Sequence, residues 1–318
     1  MILIGYTNNM KKITVNEFDV IYISYDEPNA DRNYADLCSK IPWAKRVHGV
    51  KGSDAAHKAA ANLSETNRFV TVDGDNVLTG NFLNQVIEVE DNFDLDNCVI
   101  SWPSYNIVNG LMYGNGGIKC WPKHIVLDMK THEAAPADNV KSQIDFCWDL
   151  DYLPLDRAYS EIHNNGSPLQ AWRAGFREGV KMSLEQGQRV KHLKDVWPGN
   201  YQRLGIWAMV GADVEHGMWS ILGARQGCYL THFTDWDFVN VRDFDYLNQF
   251  FEDKVKGTNP LELAIKIGNL IKDELPIDEP LSVIQSKWFK TFNFNITRKS
   301  DSVKHYSDLD SGKISAMI

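Results

Sequence analysis

The sequence predicts an α/β protein: a mostly parallel sheet flanked by helices, followed by a helix-rich C-terminal extension. Three observations carry this expectation. Over the first 165 residues, short β-branched and aromatic runs alternate with helical patterns, the signature of strand–helix–strand units. Each run stops at a polar cluster, at 25–29, 51–54 and 73–76, and ligands of parallel sheets gather beyond such ends. Past residue 165 longer helical patterns take over, so a soft boundary separates 1–165 from 166–318.

The elements follow in order. Phe18 to Ser24 (FDVIYIS) reads as the first strand and ends at the turn-prone Asp26-Glu27-Pro28-Asn29. Residues 30–40 read as a helix and Lys45 to Val50 as a second strand. Ser53 is placed to cap an alanine-rich helix, DAAHKAAANL, strong on propensity alone. Phe69 to Val72 is the third strand, stopped by Asp73-Gly74-Asp75-Asn76, and Ala158 to Ile162 is again strand-like. Helices are expected over 168–190 and 259–275, the latter with Asn259 as N-cap and Pro260 at its first position. The polar stretch 300–318 reads as a mobile tail.

Composition excludes several classes. With 43% hydrophobic and 24% charged residues, the 318-residue chain can bury a full core, which excludes wholesale disorder. The net charge of −9 argues against a chain coated in basic residues for nucleic acid or anionic lipid. Five scattered cysteines (Cys38, Cys98, Cys120, Cys147, Cys228) with no CxxC pair argue against a disulfide framework or thiolate zinc site and fit a reducing, cytoplasmic setting. In MILIGYTNNMKK the apolar run precedes the lysines and is short, the wrong pattern for a secretory leader. No apolar run approaches the roughly 18 residues of a membrane span, so no membrane partner is expected.

The sharpest chemical feature is Phe69-Val70-Thr71-Val72-Asp73-Gly74-Asp75. Two carboxylates flank a glycine where a buried strand ends, and the glycine lets the backbone turn so that both can face one cation. Hard oxygen ligands suit Mg²⁺ or Mn²⁺, which in turn bridge phosphate oxygens. Taken alone, the tripeptide also fits a solvated turn.

Its context adds a family likeness. KGSDAAHKAAANLSETNRFVTVDGDN, residues 51–76, resembles the donor-binding stretch of GT-A-fold nucleotide-sugar glycosyltransferases. The resemblance implies a GT-A-like core over 1–165 and an acceptor-binding part over 166–318. Within the core, Gly52, Asp54, His57 and Lys58 match the helix that contacts the donor diphosphate or sugar, and Asp73 and Asp75 match the metal motif. Tyr25 would stack on the base, with Asp26 or Glu27 holding base or ribose. Tyr113-Gly114-Asn115-Gly116-Gly117-Ile118-Lys119 looks like the glycine-rich segment bordering donor sugar and acceptor, although a hairpin turn explains it equally. The implied cofactor is Mn²⁺ or Mg²⁺ and the implied donor a UDP-sugar.

The third metal ligand and the base stay open between two registers. In one, His163 in His163-Asn164-Asn165-Gly166 is the ligand and Asp145 the catalytic base, with Asp149 and Asp151 as close competitors. The lysine often found after that histidine is missing, and Arg173 stands where it could take over the phosphate contact. In the other, Gly211-Ala212-Asp213-Val214-Glu215 makes Asp213 the base and His232, after a short strand, the ligand. A sugar nucleotidyltransferase is disfavoured, since MILIGYTNNMKK lacks the glycine- and basic-rich signature of that class.

Charge along the chain bears on the acceptor. Residues 164–205 hold Arg173, Arg177, Lys181, Arg189, Lys191, Lys194 and Arg203 against three acids, a local +4 that leaves −13 for the remainder. KWFKTFNFNITRK (287–299) interleaves four basic residues with Trp288, Phe289, Phe292 and Phe294. Such patterns suit phosphate tracking and base stacking, and equally a solvated helix face with core aromatics. ISYDEPNADRNYADL, IPWAKRVHGVKG, SPLQAWRAGFREGVK and GADVEHGMWSILGARQG are similar to segments of glycosyltransferase-like proteins of tailed phages. That resemblance implies glucose or arabinose transfer to 5-hydroxymethylcytosine in duplex DNA, in the host cytoplasm, with Arg173, Arg177, Lys181, Arg189, Lys191 and Lys194 gripping phosphates. A glycan or protein acceptor, and a non-catalytic DNA-binding or virion protein on a transferase fold, are the alternatives.

Overall fold

The structure is a computed structural model that describes residues 10–136, 140–144, 146–147, 149–292, 306–310 and 313–315. After β1 (Met10–Thr14) come β2 (Asp19–Ser24), α1 (Ala30–Lys40), β3 (Lys45–His48), α2 (Ser53–Leu63) and β4 (Arg68–Asp73). Strands β3, β2 and β4 lie side by side and parallel, the order expected from the sequence. Their faces are apolar on both sides, with Val20, Ile21, Tyr22, Phe69, Val70 and Val72 all fully buried, as a sheet covered by helices requires. Ser53 is the first helical residue of α2 rather than its cap, a place taken by Gly52 at φ +92°, where glycine avoids Cβ strain.

Next come β5 (Asn76–Leu78), β6 (Val86–Glu90), β7 (Val99–Asn106), β8 (Met112–Pro122), α3 (Lys123–Asp128), α4 (Val140–Ile144), β9 (Tyr152–Pro154) and β10 (Ser160–Ile162). The central sheet has eight strands in the order β3-β2-β4-β8-β7-β10-β5, with β9 also on β7. Its pairings are mostly parallel but mixed, because β8 runs antiparallel to both β4 and β7, and β5 antiparallel to β10. The short 107–111 connection dictates this, since so few residues can join only antiparallel neighbours. Two reversals restore direction, so β7 and β10 point the same way as β2, β3 and β4. The carboxyl ends of all five therefore share one edge.

The second half holds α5 (Pro168–Met182), β11 (Leu184–Glu185), β12 (Gln188–Arg189), α6 (Pro198–Trp207), α7 (Gly217–Phe233), α8 (Phe244–Lys254), α9 (Pro260–Ile271) and α10 (Val283–Phe289). The helix expected over 168–190 stops at Met182. Gln186 and Gly187, both at positive φ, then turn a two-residue hairpin between β11 and β12. Asn259 caps α9 as expected, its Oδ1 accepting from the Leu261 and Glu262 amides at 3.0 and 3.4 Å. Around Trp172, Phe176, Leu222 and Cys228, α5 and α7 pack backbone to backbone. A Cβ on Gly223 would sit 2.1 Å from the Trp172 carbonyl, and one on Gly175 1.9 Å from that of Ser220.

The polar C-terminal stretch, expected to be mobile, contributes β13 (Tyr306–Asp310) and β14 (Lys313–Ser315). β13 pairs with β6 in a separate four-stranded sheet, β1-β6-β13-β14. Ladder hydrogen bonds depend on the backbone and not on side-chain hydropathy, so a polar segment can satisfy an exposed edge. Among the described residues no helix is long and apolar enough to cross a membrane.

Candidate functional site

The shared carboxyl edge gathers the acidic residues. Asp73 is the last residue of β4, Gly74 and Asp75 turn the chain, and Asn76 starts β5. The turn is pinned from three directions. The Gly74 carbonyl accepts from the buried Tyr22 hydroxyl and from Asn33 Nδ2 at 3.1 Å, and the Asp75 carbonyl accepts from the His163 amide at 2.7 Å. Glu27 lies over Gly74, its carboxylate 2.7–2.9 Å from where a Cβ would be. It also accepts from the Tyr25 amide at 2.8 Å.

Three carboxylates thus crowd one small volume. Burial, then the charges of Asp73 and Glu27, push Asp75 up to about 7. Burial also holds Tyr22 well above the usual phenol range, with Glu27 and Asp75 adding to it. Asp75 is relieved partly by Asn76 Nδ2, which donates to its Oδ1 at 2.8 Å.

His163 stands opposite this cluster but turns its ring elsewhere. Its Nε2 lies 3.2 Å from Glu161 Oε2, while its carbonyl accepts from Asn29 Nδ2 at 3.0 Å. Among the described residues no three His, Cys, Asp or Glu side chains converge into a ready-made metal cage. The candidates for holding a hard cation are the carboxylates of Asp73, Asp75 and Glu27. Their donors are all oxygen, their mutual repulsion favours a positive charge, and Mg²⁺-like ions are commonly held by one or two carboxylates plus substrate phosphates.

The donor-side residues divide. Tyr25 is exposed beside the cluster, and Asp26 Oδ1 faces Arg173 Nη2 at 3.6 Å. Arg173 is buried, donates to Asn248 Oδ1 at 2.9 Å and lies over the Phe244 ring at 4.4 Å, so α5 and α8 lean over the end of β2. Lys51 pairs with Asp245 at 2.6 Å on the same side. On α2, Lys58 is held by Asp54 at 2.7 Å, and Asp54 Oδ1 accepts from the Thr131 amide at 3.1 Å. Glu133 faces the helix start, within 3.1 Å of where a Cβ on Gly52 would be.

His57 does not face a ligand: it is buried against Trp121 and Phe146, and its Nδ1 bonds the Ser53 carbonyl at 2.8 Å. Burial pulls it below the usual imidazole range, with Asp73 pulling the other way.

The glycine-rich segment lies within β8 and serves packing behind the acidic turn. Gly116 and Gly117 press against Ser104 and Asn76, where a Cβ would come within 2.3 and 2.0 Å. Asn115 belongs to the same strand, and its side chain lies outside the described residues.

Of the candidate bases, Asp145 lies outside the described residues. Asp151 sits at the other edge of the sheet, where its carbonyl accepts from the Val99 amide at the start of β7. Asp213 is on the carboxyl-edge side, close enough to Tyr105, with Glu161, to raise that phenol above its usual range after burial. Lys290 meets Asp213 Oδ2 at 2.6 Å, both side chains nearly buried, while Asp213 Oδ1 has no hydrogen-bond partner. His232 is not with it. Residues 217–233 are one helix, about 25 Å long at 1.5 Å per residue, instead of a helix and a strand. Asp213 precedes its start and His232 stands near its far end, 3.9 Å from Glu274.

Sequence reasoning did not single out Tyr22, Asn33, Asn76, Ser104, Ser160, Tyr105 or Lys290. Only Asn76, directly after Asp75, carried a local signal. The basic stretch is mostly committed inward. Arg177 lies over Phe244 at 4.8 Å, Arg189 donates to the Thr231 and Trp236 carbonyls, Lys181 faces Glu178 at 3.8 Å, and Lys191 and Lys194 are exposed. Fold and site together define a mixed α/β protein with helices flanking a central sheet and a carboxylate cluster at its carboxyl edge. Comparison of the chain with protein-family models, with curated proteins and with solved structures gives no match.

Proposed function

We propose that this protein is a divalent-cation-dependent glycosyltransferase moving a sugar from a UDP-sugar to an acceptor hydroxyl. The observation that carries the reading is the Asp73-Gly74-Asp75 turn, whose crowding with Glu27 pushes Asp75 to about 7 at the carboxyl edge of the sheet. In this reading Asp73 and Asp75 hold Mn²⁺ or Mg²⁺, and His163 joins them only if its ring turns away from Glu161, 3.2 Å from its Nε2. Bound there, the ion offsets charge on a departing diphosphate. Tyr25 offers an exposed ring to the base, and Asp26 and Arg173 flank the nucleoside end. Asp213, paired with Lys290 on the same side, and Asp145 are the two candidates for the proton acceptor.

The test is calorimetry with UDP, with and without Mn²⁺, followed by transfer assays. Metal-dependent heat is expected for the native chain and its loss in the Asp73→Asn/Asp75→Asn double variant. Undiminished transfer by that variant at saturating donor would sink the reading.

For the acceptor we propose 5-hydroxymethylcytosine in phage DNA, on the sequence resemblance. A specific observation favours a second reading, a glycan or protein acceptor: Arg173, Arg177, Lys181 and Arg189 all make contacts within the protein. Incubation with hydroxymethylcytosine DNA and a panel of nucleotide sugars, with the released nucleosides weighed, separates the two. Duplex binding that weakens steeply with salt supports the first, and salt-independent or absent binding supports the second.

A further inference from the structure

We propose that Asn76 is a positioning residue for Asp75, locked in one orientation by a two-serine relay reaching from the neighbouring strands. This rests on the reading of Asp73 and Asp75 as the cation-holding pair. Asn76 is buried, and its Oδ1 lies 3.2 Å from Ser104 Oγ on β7 and 2.9 Å from Ser160 Oγ on β10. The two hydroxyls are themselves 2.6 Å apart. Hydroxyls that close share one proton, so one serine donates to the other, and the second has its proton free for Asn76 Oδ1. Either direction of the relay delivers a donor to that oxygen. The Gly117 amide, 3.3 Å from Ser104 Oγ, anchors the far end.

The amide orientation of Asn76 follows from this. With Oδ1 taken by the serines, Nδ2 must face Asp75, and it donates to Asp75 Oδ1 at 2.8 Å. The flipped amide would set a carbonyl oxygen against the Asp75 carboxylate, acceptor against acceptor. Gly116 and Gly117 make the relay possible, because any Cβ there would displace Ser104 or Asn76. Asn76 thereby fixes which way one oxygen of Asp75 points before any ligand arrives, without touching that ligand.

The experiment titrates Mn²⁺ into the full chain and reads the free ion by electron paramagnetic resonance, with melting temperature followed in parallel. Asn76→Ala and the Ser104→Ala/Ser160→Ala double variant should each weaken Mn²⁺ binding by about tenfold or more, the usual cost of removing an outer-shell partner. Each single serine variant should cost much less than half of that on a logarithmic scale, since the remaining hydroxyl still reaches Oδ1. Loss of packing alone would lower the melting temperature additively and leave Mn²⁺ affinity in place. Equal affinity in wild type and the double variant overturns the proposal. If the wild type binds no Mn²⁺, the reading of a cation site fails instead. The side-chain amide resonances of Asn76 then decide the relay in metal-free protein. They should shift in the double serine variant, and unchanged resonances overturn it.

Discussion

At the carboxyl edge of the sheet, Gly117 clears space for the Asn76 side chain, and Gly116 for the Ser104 hydroxyl together with the β7 backbone at Trp102 and Ser104. In the helical half, Gly175, Gly179, Gly223 and Gly227 clear space for backbone, letting α5 and α7 touch carbonyl to Cα. The same residue type produces opposite outcomes. The first region stores unfavourable interactions, three crowded carboxylates held by a hydrogen-bonded frame. The second has aromatic rings, Trp172, Phe176, Phe250 and Phe251, packed together beside a close helix pair. Close approach in a protein is therefore not a mark of function; what approaches decides it.

The largest effect is expected at the helix pair. Gly223→Leu places side-chain atoms where the Trp172 carbonyl sits 2.1 Å from the Cβ position. Overpacking typically costs about 1–3 kcal/mol and more against rigid backbone, so this variant should fail to give a cooperative melt. A normal melt would show that α5 and α7 can separate.

Gly117→Ala is the matching change at the sheet edge. Its Cβ meets the Asn76 side chain and forces the amide out of its hydrogen bonds, so the chain should fold with a melting temperature lowered by several degrees, from a cost of about 1–3 kcal/mol. Mn²⁺ binding should fall as sharply as in Asn76→Ala. Retained binding would separate the glycine from the relay.

Asp75→Asn sharpens the contrast through pH. The Asp75 carboxyl is raised from its ordinary 3.8 to about 7 in the folded chain. Between those values the folded state holds a proton that the unfolded state has released, so stability falls as pH rises from about 4 to 7 and levels off above. Thermal melts across that range should show the decline in the native chain and a flatter profile in Asp75→Asn. Equal slopes would contradict the crowding.

The smallest effect is expected from Ser167→Ala. The Ser167 hydroxyl caps α5 by accepting from the Gln170 amide at 3.1 Å, ahead of Pro168. Losing it should cost about 1 kcal/mol and leave Mn²⁺ affinity unchanged, read by denaturant melts and metal titration together.

The legible part of the site was the part written in consecutive residues. Asp73-Gly74-Asp75 could be read because two carboxylates around a glycine directly follow an apolar run. His57 and Lys58 looked like donor contacts through the family resemblance alone, yet the packing of α2 against the sheet buries His57 on Trp121, and Lys58 is tied to Asp54. Counting charges between 164 and 205 gave a basic segment, whereas the fold spends Arg173 on Asn248 and Arg189 on backbone carbonyls. Charge patterning records which residues are present and not which partners the fold brings to them.

Residue order by itself determined the strand–helix–strand–helix–strand start, the capping of α9 by Asn259 and the place of the acidic turn at a strand end. These depend on propensities and turn chemistry acting within a few residues. Tertiary structure alone decided that β8 inserts antiparallel between β4 and β7 and that Glu27 lies on Gly74. It also placed Ser104 and Ser160 behind Asn76, and Lys290 against Asp213. Ser104 and Ser160 lie 28 and 84 positions after Asn76, and no local pattern encodes a meeting that depends on how separate strands and helices are stacked.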